Sequence, residues 1–414
     1  MKISVNTEIA LIYLVSRRKQ SIVASLGVTF GICMFIFMNS LISGTNNYFE
    51  KVTLSATPHI RVYNDNKLSD SKMLDGYLHD GSIKLISNPQ LEYSDNHIYN
   101  ADAIITALRK NGEVVAISPQ VSTNVTYSNG NVQKNGNVAG MNILEQDKMF
   151  DITSTMIAGA VADLNATPDG IILGVGLAKS LSVGKGGNVT LVGINGAAKQ
   201  LRVVGIFKTT IKNIDNNKSY TNIPVVQQLL RKDRNYITDV YVNIANYTRA
   251  NAEKKHFEHI TGYNVETWQD ANEQSIAARM IRDIIANSVV ITILIVAGFG
   301  IYNILNMVIY EKIKEIAILK ATGFQGRHVI NIFIKQALMI GVIGATLGLL
   351  TGWAISYLVS RMYLGIGNVD YLPMDFAIKH YIRGGLFGIV TAFFAGYIPA
   401  IKASKVDPVQ IIRG

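Results

Sequence analysis

Between Lys19 and Glu50 the chain carries no charged side chain. That run is roughly thirty residues long, and about twenty suffice for a helix to cross the hydrocarbon core of a bilayer. Three further charge-free runs follow, at residues 284–310, 336–360 and 384–401. A buried helix of a water-soluble protein can be this apolar over about a dozen residues, but not four times at this length. The sequence therefore predicts an α-helical membrane protein with four transmembrane helices, at residues 21–43, 284–310, 329–360 and 381–401. Composition agrees, since 49% of the residues are hydrophobic and 16% charged, against ~25% charged in ordinary soluble domains. The first run exceeds the ~7 to 15 apolar residues of a cleaved signal peptide and is expected to remain as an anchor.

The formal net charge is +10, yet it does not point to nucleic acid, because many cations flank the apolar runs instead of gathering on one soluble face. Lys2, Arg17, Arg18 and Lys19 precede the first run, Lys312, Lys314, Lys320 and Arg327 lie between the second and third, and Lys402, Lys405 and Arg413 follow the fourth. Lys and Arg in short loops mark the cytoplasmic side. Residues 1–20, 311–328 and 402–414 are thus expected in the cytoplasm, with residues 361–380 as an outside loop and residues 44–283 as a large outside domain. In a bacterium this is an inner-membrane protein with that domain in the periplasm. Residues 9–19 fit either an interfacial helix, with its cations on anionic headgroups, or an extension of the first span.

The outside domain is long enough for its own core and mixes strands with helices in an α/β (α+β) pattern. Strands are expected at 59–63, 114–118, 121–127, 171–173, 189–192, 201–207 and 239–244, and helices at 101–110, 175–181, 225–230 and 247–260. Residues 64–100 are rich in Asn, Ser and Asp and read as a long loop or an inserted hairpin. Two lobes are expected, the smaller and mostly β one inserted at about residues 143–226. The single cysteine, Cys33, lies in the first apolar run, so the domain must be held by its core and not by a disulfide.

Small residues recur four apart on the spans: Gly27 and Gly31 on the first, Gly344, Gly348 and Gly352 on the third, Gly384 and Gly388 on the fourth. Such ridges let helix backbones approach closely, although glycine is frequent in membrane helices generally.

Several chemistries are excluded. Gly184 and Lys185 invite a phosphate-loop reading, but Gly186 stands where Ser or Thr would hold the metal and the leading glycine of that motif is missing. The chain is therefore expected to hydrolyse no nucleotide by itself and to need no cofactor. The seven histidines are scattered and the lone cysteine is in a span, so no metal-ligand spacing exists. No Gly-x-Ser-x-Gly elbow accompanies the serines, and an enzyme active site is not expected. No span carries Asp, Glu, Lys or Arg in its middle, which argues against an ion-coupled pump. Energy has to come from elsewhere.

The segment between the second and third spans offers a route. Ile313, Ile316, Ala317 and Lys320 fall on one helical face, Glu311, Lys312, Lys314 and Glu315 cluster near its start, and Gly323 supplies a stop. A short amphipathic helix held between two spans can receive force from a soluble partner. A charged loop lying on headgroups is the plainer reading of the same residues.

Lys314, Glu315, Ile316, Ile318, Leu319, Lys320, Ala321 and Gly323, together with Pro399-Ala400, Ala403-Ser404, Asp407-Pro408 and Ile411 near the end of the sequence, resemble the coupling and closing motifs of one family. This is the group of ABC-transporter membrane subunits that includes the macrolide exporter, the lipoprotein-releasing complex and the cell-division permease. With the arrangement of one span plus three, the resemblance covers the whole chain. It implies a porter-like outside lobe with an inserted β lobe, and a second permease subunit, identical or not, beside this one. It also implies a cytoplasmic ATPase dimer, holding ATP and Mg, docked on residues 311–323 through Glu311, Lys312, Lys314, Glu315, Ile316, Leu319, Lys320 and Gly323. ATP-driven closure would then move the outside domains by mechanotransmission.

Within that family, Ala56-Thr57-Pro58-His59-Ile60 and the approach from Tyr13 to Arg18 look like the lipoprotein-releasing subunits, which implies extraction of acylated lipoproteins from the outer leaflet. Met34, Phe35, Phe37, Met38 and Leu41, toward the outer end of the first span, could then meet acyl chains, although ordinary packing is the plainer role for any one of them. One departure stands out. The subunit of that group that recruits a periplasmic carrier has a long proline-containing hairpin where this chain has only Gly193-Ile194-Asn195-Gly196-Ala197-Ala198-Lys199. A macrolide- or peptide-exporter type with a periplasmic adaptor, and a non-transporting regulator of a cell-wall hydrolase, are the competing expectations.

Overall fold

The computed structural model describes residues 5–16, 18–65, 96–366 and 369–413. It divides into two compact units, Met1–Phe49 with Ala277–Gly414, and Glu50–Ile276. The expected loop or hairpin at residues 64–100 falls mostly outside the described residues.

Among the described residues four helices, lying mostly in the first unit, are long and apolar enough to cross a membrane: Arg18–Leu54, Glu273–Glu311, Gly326–Ser360 and Ile378–Ser404. They are called the first to fourth span helices below. Each runs beyond its apolar stretch, because backbone hydrogen bonding continues a helix into polar sequence where hydropathy gives no signal. The N-terminal residues form a separate helix, Val5–Ser16, and do not simply extend the first span helix. Ser21 Oγ donates to the Leu14 carbonyl at 2.9 Å and so ties the two together.

The first, third and fourth span helices meet along glycines. A Cβ on Gly344 would lie 2.6 Å from Val28, on Gly348 2.8 Å from Ile32 and on Gly352 3.1 Å from Ile36. Three glycines, each one turn from the next, thus let the third helix's backbone rest on the aliphatic ridge Val28-Ile32-Ile36. Gly384 meets Phe35 in the same way, and Gly388 meets Ile32. Gly31 faces Ala297 and Ile293 of the second span helix, whereas Gly27, expected on the same packing ridge, has nothing within 4 Å.

Residues 361–380 are not a bare loop. Tyr363–Ile366 pairs antiparallel with Val369–Tyr371, after which the Asp375 N–H donates to the Ser40 carbonyl at 2.9 Å.

Among the described residues, the second unit is built on one sheet of ten strands: β1 Ile60–Tyr63, β2 Val114–Asn129, β3 Val132–Met141, β4 Met156–Ala158, β5 Gly170–Gly174, β6 Asn188–Gly193, β7 Ala198–Phe207, β8 Lys218–Thr221, β9 Asp239–Ile244 and β10 Asn264–Thr267. Their order is β10-β1-β9-β2-β3-β8-β5-β7-β4, with β6 pairing β2 and β7. Strands β3 and β8, and β5 and β7, run parallel. Strand β2 joins the expected lobes, since its first part pairs with β9 and its second with β3 and β6. The expected lobes therefore share a sheet, and they share the larger core as well, since Leu177, Val189, Leu201 and Val225 from within residues 143–226 join it. A large core includes Ile60, Leu108, Val240, Phe257 and Trp268, and a smaller one includes Met141, Ile143, Leu164, Val204 and Phe207. In β5, Ile171 and Leu173 feed the large core and Ile172 the small one. Burial on both faces explains its unbroken apolar sequence.

Residues 114–118 and 121–127, expected as two strands, form this single β2. Pro119 interrupts the pattern in sequence, but it pairs only with Val240 of β9, before the β3 ladder begins at Gln120. A proline is tolerated where its missing N–H faces no neighbouring strand. Arg61 of β1 ties three strands, through Asp239 of β9 at 2.6 Å and Glu266 of β10 at 3.0 Å.

Candidate functional site

Residues 311–323 fold into a short helix, Ile313–Ala321, between the end of the second span helix and the start of the third. The Ile316 N–H donates to the Lys312 carbonyl at 2.9 Å and closes the first turn. At the other end Gly323 adopts φ 101°, and the Phe324 N–H reaches back to the Leu319 carbonyl at 3.1 Å. This closure needs a left-handed residue, which glycine supplies without strain.

One face of the helix is locked into the protein. Ile316 is buried in a core shared with Tyr13, Ile309, Phe333 and Ala403, which come from the N-terminal helix and the second, third and fourth span helices. Lys320 Nζ donates to the carbonyls of Ser404 and Val406 at 2.9 and 2.6 Å. Ser404 ends the fourth span helix, where carbonyls lack intrahelical partners and the helix dipole favours a cation. Lys320, expected to contact a partner protein, is therefore engaged within the chain.

Lys312 Nζ donates to Glu315 Oε1 at 2.5 Å and lies 5.5 Å from the centre of the Tyr13 ring. Burial, then the Glu315 charge and hydrogen bonding to it, push the Tyr13 phenol up to about 12, so it stays protonated. The ties to Tyr13 were not legible in the sequence, because Tyr13 lies on a different element.

The opposite face is open. Glu311, Lys314, Glu315, Ile318 and Gly323 are exposed, while Lys312 and Leu319 are half-buried. Ile318 is an apolar side chain 56% exposed between charged neighbours. It belongs to the motif but was not singled out, since its outward direction depends on which face the spans grip. The helix Pro408–Arg413 packs against Ile313–Ala321. It starts where Asp407 Oδ1 accepts the Val409 N–H at 2.9 Å, which gives the Asp-Pro pair a physical role as N-cap and first helical residue.

The side chains proposed to meet acyl chains divide. Met34, Phe37, Met38 and Leu41 are half-buried. Phe35 is only 6% exposed, with its ring 5.6 Å from that of Phe387, and it serves packing within the chain. The β6–β7 connection is as short as the sequence indicates: the Gly193 N–H donates to the Ala197 carbonyl at 2.8 Å, and Ile194 stands 72% exposed at the tip.

Residues 21–260, more than half of the chain, match the model of the MacB-like periplasmic core domain, and residues 287–408 match the FtsX-like permease C-terminal model. The lipoprotein-releasing system transmembrane protein LolC of Neisseria meningitidis is 25% identical, over 95% of this chain and 94% of that protein. The macrolide export ATP-binding/permease protein MacB of Psychrobacter arcticus is 23% identical over 78% of this chain, which spans about half (49%) of that longer protein. Among solved structures, the periplasmic region of MacB from Actinobacillus actinomycetemcomitans aligns with 54% of this chain and 94% of its own length at 14% identity, with a TM-score of 0.34. Four span-length helices, a large domain between the first and second, and both family matches agree, and the chain belongs to the ABC-transporter permeases that combine a MacB-like periplasmic core domain with an FtsX-like permease region.

Proposed function

We propose that this permease takes up movement from a separate cytoplasmic ATPase dimer on the helix Ile313–Ala321 and passes it to its periplasmic domain, to extract lipoproteins from the outer leaflet of a bacterial inner membrane. The observation that carries this reading is the two-sidedness of that helix. Its inner face is fixed by Ile316 and Lys320, while Lys314, Glu315 and Ile318 remain outside. A helix held on one side and bare on the other can transmit a push instead of absorbing it. ATP and Mg belong to the ATPase in this reading, and a second permease subunit completes the assembly.

Lipoprotein as cargo is supported by the near full-length likeness to a lipoprotein-releasing protein and by Met34, Phe37, Met38 and Leu41 on the first span helix, whose apolar surface suits acyl chains at ~0.8 kcal/mol per buried methylene. The short β6–β7 turn supports a second reading, an exporter of macrolides or peptides working with a periplasmic adaptor. Purification from the native membrane with its ATPase, followed by mass spectrometry of what accompanies it, separates the two. Triacylated peptides are expected, and an adaptor with no lipopeptide would reject lipoprotein release in favour of the second reading.

A further inference from the structure

A groove of about 670 Å³ runs between the second and fourth span helices. Its floor is made of small residues: a Cβ on Gly298 would come 3.2 Å from Thr391 and 3.9 Å from Ala395. Its walls are aromatic, with Phe299 and Phe394 each 63% exposed and Phe387 48% exposed. Among the described residues no charged side chain lines it.

One end differs from the rest. Tyr302 lies in the lining, and Lys402 Nζ donates to its hydroxyl at 3.2 Å, above a ring centre 5.7 Å away. Lys402 is itself exposed. The distribution of Lys and Arg assigns this end to the cytoplasm.

The groove's length is informative. From Tyr302 to Ile291, at the far end of the lining, the helix rises about 16 Å. On the fourth span helix the lining runs from Phe387 to Ile398, so the groove crosses the middle of the membrane, with Lys402 just beyond its cytoplasmic end.

We propose that this groove is a binding site for one anionic phospholipid of the cytoplasmic leaflet, with an acyl chain along Gly298 and Thr391 and the phosphate on Lys402. An ammonium at the cytoplasmic mouth of an otherwise apolar slot matches that molecule in charge. The lipid fills space that the four helices leave between themselves, and it does so away from Met34, Phe37, Met38 and Leu41, so it is not the cargo. This inference is independent of what the permease transports.

The test uses the full chain with its ATPase, purified in mild detergent and titrated with phosphatidylglycerol or phosphatidylcholine during native mass spectrometry. About one phosphatidylglycerol per chain is expected to survive, with at least tenfold preference over phosphatidylcholine. Lys402→Gln should abolish the preference, and Lys405→Gln, at an exposed lysine outside the lining, should keep it. Equal effects of the two variants, or no preference in the native chain, would overturn the charge assignment. A photo-crosslinking side chain at Phe394 locates the occupant. A phospholipid adduct supports the site, and an adduct with a second copy of this chain overturns it.

Discussion

Lys320 holds Val406: its ammonium donates to that backbone carbonyl at 2.6 Å, one helix away from its own. A hydrogen bond from a charged donor contributes about 1.5–3 kcal/mol, and here the same nitrogen also serves Ser404. Lys320→Met is expected to lower the thermal midpoint of the purified protein and to loosen the C-terminal residues, read as faster amide exchange at residues 404–413. Lys314→Met, at an exposed position of the same helix, should leave both unchanged. Loss of stability with the second variant and not the first would reverse the assignment.

The neighbours Ile316 and Ile318 should separate folding from docking. Ile316 is 1% exposed and Ile318 56%. Ile316→Ala removes buried volume from the core it shares with Tyr13 and Phe333, at a cost of about 2–5 kcal/mol. Ile318→Asp should leave the thermal midpoint in place yet weaken association with the ATPase at least tenfold, measured by co-purification and by transport-stimulated ATP hydrolysis. Wild-type coupling in Ile318→Asp would remove this face from the docking surface.

The four spans, the coupling helix and its glycine stop could be read from the chain because each is a local pattern: a charge-free run of fixed length, a helical spacing, a glycine after it. What remained hidden depended on partners far away in sequence. Strand β3 begins with four exposed residues and shows no alternation there; a two-residue turn, with Gly130 at φ 59°, folds it back onto β2. Lys320 looked like a docking charge because nothing local announces the carbonyls of Ser404 and Val406. Gly27 and Gly344 carry the same spacing signal, and only the approach of another helix tells them apart.

That difference is measurable. A side chain on Gly348 would meet Ile32 at 2.8 Å, and one on Gly27 would meet open space. Gly348→Leu should overpack the junction of the first and third span helices, at about 1–3 kcal/mol or more, and reduce the amount of folded protein in the membrane. Gly27→Leu should be tolerated unless a second subunit covers that position, which would show as loss of the assembled complex with the single chain still folded. Thermal unfolding of the two variants side by side distinguishes these outcomes.

At the other end of the spans, Asp375 joins the first and fourth span helices. Its Oδ2 accepts from Ser43 Oγ at 2.6 Å and lies 3.1 Å from His380 Nε2, while Oδ1 accepts the Ala377 N–H at 3.0 Å. Burial alone would push this carboxyl up, but the Ser43 hydroxyl, the His380 ring and the Ala377 N–H more than reverse that and hold it below its ordinary value of 3.8. A carboxylate depressed in the folded state contributes stability that is fully present above its unfolded value and is lost as pH falls through the folded one. Asp375→Asn should therefore unfold at lower temperature than the native chain at neutral pH, and the gap should close as the pH falls below 3.8. Lys379, 3.9 Å from the same oxygen and exposed, adds little, so Lys379→Gln should leave the pH profile unchanged. A gap that stays constant down to pH ~2 would mean that the aspartate acts through its shape and not its charge.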